Sequence, residues 1–263
     1  LSKARRRKLR EDELRKLGVD LICKYSATGN TFVVVDATKT TLNDVEKEKI
    51  VLEVVEERDG VIFVEQHSKW FFMDYFNRDG RRATFCGNGA RTFLKFLSEY
   101  FNVFGKVSIK TNAGVLNGYI GEKISVQMPD PVVNYFVPQE ELSGFEGILI
   151  TVGVPHLVMN VGKAIWEFDM EIARLLRHKF NANVNLFNVV DASTFEIRTF
   201  ERGVERETLS CGSGTTATAY FVKYYILRDN KIPDKLTAQT KGGILNVLFE
   251  SDGIYLEGGV EHE

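Results

Sequence analysis

Apolar and β-branched runs recur at about 21–36, 60–76 and 107–128, and again at about 147–161, 184–200 and 235–257, with the length and composition of strands. Between them the apolar spacing becomes helical: Ile50, Val51, Val54 and Val55 share one face, as do Ala90, Phe93, Leu94 and Leu97. The pattern predicts helices over Ala90–Tyr100 and Thr215–Leu227 and an α+β fold. Pro129 and Pro131, then Pro138 and Gly144, interrupt it where one half passes into the other.

The two halves repeat one another in residue type and order. Cys86-Gly-Asn-Gly answers to Cys211-Gly-Ser-Gly, and each runs straight into a predicted helix. Gly29-Asn-Thr-Phe-Val-Val-Val answers to Gly153-Val-Pro-His-Leu-Val-Met, and Gly114-Val-Leu-Asn to Gly243-Ile-Leu-Asn, at a nearly constant offset. Three markers in one order predict a duplicated α+β lobe. The divisions are a basic extension over 1–20, lobes over 21–130 and 131–258, and a tail over 259–263. Duplication would set equivalent points face to face across a cleft between lobes, a favoured place for a small-molecule site.

Composition narrows the function. The 263 residues are 44% hydrophobic, enough for a full core, and a net charge of -2 gives no general attraction for polyanions. Small-molecule chemistry is therefore expected, with no nucleic acid or membrane as partner. Cys23, Cys86 and Cys211 form neither a CxxC pair nor an even disulfide framework, which fits a cytoplasmic protein without a zinc site. No apolar run has membrane-spanning length and no export signal is evident. One local anomaly is the basic block within 1–17, which carries Lys3, Arg5, Arg6, Arg7, Lys8, Arg10, Arg15 and Lys16. It reads either as a tether for nucleic acid or membrane or as a solvated helical extension striped by Leu9, Leu14 and Leu17.

Cys86 and Cys211 carry the chemistry. At a helix start the first N–H groups lack intrahelical partners and the dipole is positive, so a thiolate is favoured there by about 0.3–1 kcal/mol. Gly87 and Gly212 leave the same backbone bare for a substrate carboxylate. Two such sites suit stereoinversion, in which a thiolate removes an α-proton from one face while a thiol delivers a proton to the other. The reverse reaction exchanges the roles, so acid and base are best the same residue type. Cys23, within an apolar strand, reads as a small buried hydrophobe. A cysteine protease using His156 would leave the second Cys-Gly-x-Gly without a purpose.

On these residues the chain resembles the diaminopimelate epimerase family along almost all of 21–260. The shared motifs are Gly29-Asn30-x-Phe-Val-Val-Val-Asp36, Phe76-Asn77-x-Asp79-Gly80, Cys86-Gly-Asn-Gly-Ala-Arg91, Pro155-His156, Glu201-Arg202-Gly203 and Cys211-Gly-Ser-Gly214. The resemblance implies two pseudo-symmetric lobes, each a curved mixed sheet wrapped around a central helix. It also implies cofactor-independent conversion of LL- to meso-diaminopimelate in lysine and peptidoglycan precursor biosynthesis. Cys86 and Cys211 would be acid and base, assisted by His156 and Glu201. Gly87, Asn88, Gly212 and Ser213 would hold the carboxylate at the reacting centre. Asn30, Asn77, Asn183, Glu201 and Arg202 would recognise the remaining polar groups, Arg202 the distal carboxylate. No metal or other cofactor is implied, and a homodimer is the candidate assembly.

Each polar residue has a plainer reading: Asn30 and Asn77 as turn residues, Glu201-Arg202 as a surface ion pair, His156 as a satisfied structural histidine. The chain also departs from the family. Val154 stands where asparagine is frequent, the loop before Asp59-Gly60 is short, Thr31 replaces an aspartate, and the turn Gly203–Thr208 is one residue longer. These changes bear on specificity, and a broader amino-acid racemase acting for example on lysine is the alternative. A non-catalytic binding protein on the same fold would be distinguished by the lack of α-proton exchange, and a nucleic-acid binder using 1–17 by salt-dependent binding lost with that segment.

Overall fold

The computed structural model describes residues 14–19, 21–227 and 233–263. Most of the basic block, including Leu9 of its expected apolar stripe, therefore lies outside the described residues. Two compact units are present, one formed by the described residues up to Ile124 together with Val260–Glu263, the other by Ser125–Gly259.

In the first unit, strands β1 (Ile22–Ala27) and β2 (Asn30–Asp36) form an antiparallel hairpin whose turn uses Gly29 at φ 80°, left-handed backbone that glycine enters without penalty. Helix α1 (Asp44–Val54) crosses over, so that β3 (Gly60–His67) runs parallel to β2. A capping box starts α1, with Asn43 accepting from the Glu46 N–H while the Glu46 carboxylate accepts from the Asn43 N–H. Strand β4 (Trp70–Asn77) is antiparallel to β3, and β5 (Arg82–Ala83) pairs briefly with it. Then come α2 (Gly87–Phe101), β6 (Gly105–Thr111) parallel to β4, and β7 (Gly114–Ile120). The expected tail contains a short strand, Glu261–His262, which pairs with β1.

The second unit repeats this order. After β8 (Ile124–Gln127), a strand β9 (Val132–Val137) pairs with β10 (Glu146–Val152), so the proline-marked connection contains a strand that its punctuation hid. Strand β11 (Val154–Asn160) forms a hairpin with β10 at Gly153, φ 70°. Helix α3 (Met170–Phe180) crosses to β12 (Asn183–Val189), parallel to β11. Then follow β13 (Thr194–Glu201), β14 (Arg206–Thr208), α4 (Gly212–Phe221), β15 (Lys235–Thr240), β16 (Gly243–Glu250) and β17 (Gly253–Gly258). The helix expected to Leu227 is α-helical only to Phe221 and continues as a π-helical stretch, Val222–Leu227.

The glycine repeats read from sequence coincide with this register. Gly29 and Gly153 turn the first hairpin of each unit, and Gly114 and Gly243 open the second strand of the last, opposite Thr111 and Thr240. Strands β2 and β12 are buried on both faces through their centres because helices cover both sides. Val33, Val35, Val61 and Phe63 pack with Ile50, Val51 and Val54 of α1, and Leu157, Met159, Val184 and Leu186 pack with Ala173 and Leu176 of α3. On the other face the sheet of each unit lies around a central helix: α2 against β1–β4 and β7, α4 against β10–β12 and β15–β17. The fold is a duplicated α+β unit whose two central helices each begin at a cysteine.

Candidate active site

Cys86 is the N-cap of α2 with φ -148° and ψ 114°, and Cys211 the N-cap of α4 with φ -133° and ψ 111°. The same extended backbone therefore delivers each thiol to a helix N-terminus. Cys86 Sγ accepts from the Gly89 N–H at 3.4 Å, and Cys211 Sγ lies 3.6 Å from the Ser213 hydroxyl. Both helix starts are packed into their units, with Gly87, Asn88 and Gly212 buried and Ser213 half-buried. Cys23 is buried on β1 with its thiol 3.1 Å from the Tyr100 hydroxyl, and burial raises its pKa.

In the first unit a chain of polar contacts sets the residues around Cys86. The Asp59 carboxylate accepts from Asn30 Nδ2 at 2.8 Å and from the Thr31 N–H and hydroxyl at 2.8 and 3.0 Å. A carboxylate only accepts, so the Asn30 amide nitrogen faces Asp59 and its oxygen faces Asn88 Nδ2, 3.4 Å away. Asn88 Oδ1 in turn accepts from the fully buried Arg91 at 3.0 Å, and Arg91 also donates to the Thr28 hydroxyl at 3.1 Å. Thr31 and the short loop before Asp59 thus complete one another. Asn77 is exposed at the end of β4 in a turn closed by its N–H to the Arg81 carbonyl, 2.9 Å, and the Gly80 N–H to its own carbonyl, 3.0 Å.

In the second unit Asn183 ties two strands together. Its Oδ1 accepts from the Arg202 N–H at 2.8 Å and its Nδ2 donates to the Pro155 carbonyl at 3.4 Å. The half-buried Arg202 guanidinium donates to the Asn181 carbonyl at 3.1 Å. Glu201 is half-buried beside it on β13, and Val154 is exposed. His156 on β11 is 0% exposed, and burial, reinforced by the Arg202 charge, pushes its pKa down to about 3. The ring is therefore neutral near pH 7.

The residue that organises this region, Asn185, was not singled out from sequence. Its Oδ1 accepts from the Thr199 hydroxyl at 3.0 Å, and its Nδ2 donates to the Leu157 carbonyl at 3.4 Å and to His156 Nδ1 at 3.1 Å. Nδ1 is then the acceptor, which puts the proton on Nε2, a buried atom without a protein partner among the described residues. Asn185 also presses on the start of α4: a Cβ on Gly214 would sit 2.1 Å from its Oδ1 and 3.4 Å from Cys211 Sγ. One buried amide thus links the histidine to the helix turn that carries the thiol. A signal was present, since Asn185 is polar in the otherwise apolar centre of β12, Asn-Val-Asn-Leu-Phe.

Among the described residues no three His, Cys, Asp or Glu side chains converge as metal ligands, and no helix is long and apolar enough to cross a membrane. The sequence profile of the family described as diaminopimelate epimerase matches residues 22–133 and 148–263. The chain is 41% identical over 239 residues to the diaminopimelate epimerase of Thermotoga maritima, covering 90% of this chain and 97% of that one. It is 33% identical over 249 residues to the diaminopimelate epimerase of Campylobacter jejuni, covering 91% and 95%. Among solved structures, the phenazine biosynthesis protein of the PhzF family from Bacillus anthracis shares the fold, with a TM-score of 0.75 at 19% identity over 92% of this chain and 96% of that one. Matched across both units by one profile and over nearly their whole length by relatives at 33–41% identity, the chain belongs to the diaminopimelate epimerase family.

Proposed function

We propose that the protein interconverts LL- and meso-diaminopimelate, with Cys86 and Cys211 as the acid–base pair. The observation that carries this reading is the repeated N-cap: two cysteines with the same backbone conformation begin the central helices of two copies of one unit. The chemistry requires one thiol on each face of the substrate α-carbon. One thiolate takes the α-proton, leaving the electron pair delocalised into the α-carboxylate, and the opposite thiol donates its proton to the other face. The second thiol is then the thiolate, and the enzyme is ready for the reverse direction.

The N–H groups at Gly87, Asn88, Gly212 and Ser213 would hold the α-carboxylate and stabilise the charge that develops on it. Glu201 would pair with the reacting ammonium. The neutral His156 would serve through its Nε2 hydrogen, as a donor that fixes geometry without taking a proton. Asn30, with its nitrogen held by Asp59, offers an oxygen suited to an ammonium group. Arg202 would bind the distal carboxylate, with Asn183 holding its backbone and Asn77 contributing from the first unit. Distal contacts act as a ruler that selects which α-carbon reacts. Every residue assigned a role lies on this chain, and the reading calls on no residue of another molecule. Three free thiols suit a reducing cytosol.

The test follows stereochemistry and isotope together in deuterium oxide, with LL-diaminopimelate and lysine as competing substrates. The parent should invert diaminopimelate and incorporate solvent deuterium at the α-position. Cys86→Ala and Cys211→Ala should each lose inversion while retaining slow exchange with configuration preserved, the two preferring opposite stereoisomers. Inversion at the parental rate by either variant would overturn the two-thiol reading, and preferential turnover of lysine would overturn the substrate.

A further inference from the structure

Each candidate cysteine is preceded, at the same spacing, by an ion pair, and the two pairs have opposite polarity. In the first unit Arg82 on β5 reaches Asp74 on β4 through two parallel bonds, Nε to Oδ1 at 2.8 Å and Nη2 to Oδ2 at 3.0 Å. In the second, Arg198 on β13 reaches Glu207 on β14, Nε to Oε1 at 2.6 Å and Nη2 to Oε2 at 3.1 Å. The strand register makes these equivalent sites. Arg82 pairs with Phe76 and Glu207 with Phe200, and the opposite charge stands two residues earlier on the long strand in both cases. From β5 the chain runs Thr84-Phe85-Cys86, and from β14 it runs Leu209-Ser210-Cys211.

Both pairs are fixed from behind. Asp74 is 1% exposed and also accepts from Lys47 and Asn112, each at 2.8 Å, while Arg82 extends to Asp44 at 2.6 Å. Arg198 is 7% exposed and donates to the carbonyls of Ile165 and Phe168 at 2.7 and 3.0 Å, and Glu207 accepts from Lys241 at 2.6 Å. Strands of two and three residues have few ladder bonds of their own, so a two-pronged charged contact is a large part of what holds them. The donor and acceptor have changed places between the units while spacing and geometry are the same. That exchange points to the anchoring, not to the sign of either charge, as the common requirement.

We propose that Asp74–Arg82 and Arg198–Glu207 are positioning clamps, each fixing the short strand that delivers one thiol to its helix N-terminus. The inference rests on the reading of Cys86 and Cys211 as acid and base. Its distinctive consequence is independence: loosening one clamp disturbs the thiol of its own unit and leaves the other alone.

The test removes the more exposed partner of each pair, so that no buried charge is left without company. Asp74 keeps Lys47 and Asn112, and Arg198 keeps its two carbonyls. In full-length Arg82→Ala and Glu207→Ala, kcat and KM for diaminopimelate are measured, and iodoacetamide alkylation of each cysteine is followed by peptide mass spectrometry across pH. A displaced thiol should lower kcat by about 10- to 100-fold with KM within about twofold. Arg82→Ala should change the alkylation rate and its pH profile at Cys86 alone, and Glu207→Ala at Cys211 alone. Arg82→Lys and Glu207→Gln, which keep volume, should recover part of kcat, and they carry the comparison should an alanine variant fail to fold. Parental kcat in both variants, or both cysteines shifting together in each, would overturn the clamps. Cys86→Ala and Cys211→Ala assayed alongside separate the two ideas: if either still inverts the substrate the acid–base reading fails, and if both are inactive while the clamp variants are parental only the clamps fail.

Discussion

Gly214→Ala is a sharp perturbation because the structure says what the added methyl group meets. Its Cβ would lie 2.1 Å from Asn185 Oδ1 and 3.0 Å from Asn185 Cγ. Favourable heavy-atom contacts lie near 3.5 Å, so relief needs a movement of about 1.4 Å. Asn185 cannot swing away without giving up its bonds to Thr199, Leu157 and His156, and is fully buried among them. The alternative is displacement of the α4 start, and Cys211 moves with it. Overpacking of this kind costs about 1–3 kcal/mol, offset by at most about 1 kcal/mol from replacing glycine by alanine in a helix. At so short an approach the upper part of that range applies, and the net loss is about 1–2 kcal/mol, a Tm lower by several degrees. A thiol misplaced by about 1 Å should also lower kcat by up to about 100-fold. The control is the equivalent Gly89→Ala, where the nearest atom is the flexible end of Met73 at 3.3 Å, which can turn aside. That variant should melt close to the parent and keep most of its kcat. Thermal unfolding and steady-state kinetics on the two variants side by side decide the matter. Parental Tm and kcat for Gly214→Ala, or equal losses at both sites, would refute the reasoning.

Arg202→Lys keeps the charge but loses the planar fork, so KM for diaminopimelate should rise by about tenfold or more, and unchanged kinetics would remove Arg202 from the site. His156 links stability to acid. Its folded pKa of about 3 lies below its ordinary value near 6.5, so between these values the unfolded chain binds the extra proton. The stability it contributes is present above pH 6.5 and falls toward pH 3, by up to about 1.4 kcal/mol per pH unit. Urea unfolding from pH 7 to pH 4 should therefore show a shallower decline for His156→Gln than for the parent. Identical slopes would show that the imidazole is not buried as a neutral group.

How much was legible from sequence depended on whether a feature is local. The Cys-Gly-x-Gly starts are local: N-cap and bare glycine stand next to one another, and both helices begin where the motif placed them. The hairpin glycines are local too, because a left-handed turn residue between apolar runs marks a fold-back whatever lies around it. Strand β9 was hidden because prolines at both ends are the usual punctuation of a connection, while its pairing with β10 is a tertiary fact. Asn185 was hidden for the same reason: an asparagine in a strand shows neither its burial nor which neighbours it joins, and these came only with the pairing of β12 to β11 and β13.

The ion pairs ahead of the cysteines show the limit most plainly. Matching residue types finds Cys with Cys and Gly with Gly, but the acidic side of one pair occupies the place of the basic side of the other. A search for similarity discards such positions as unrelated. Counted between paired positions, the connection from Phe200 to Glu207 is also one residue longer than that from Phe76 to Arg82, so a constant offset misaligns Asp74 with Thr199 and hides that Arg198 is its equivalent. Only the strand register restores the correspondence, since Phe76 opposite Arg82 and Phe200 opposite Glu207 fix it without reference to charge. What duplication preserved at these sites is a contact between two strands, and a contact is a property of pairs of positions. Single-residue motifs can mark the thiols; what holds them in place becomes readable only when the strands that carry them are seen side by side.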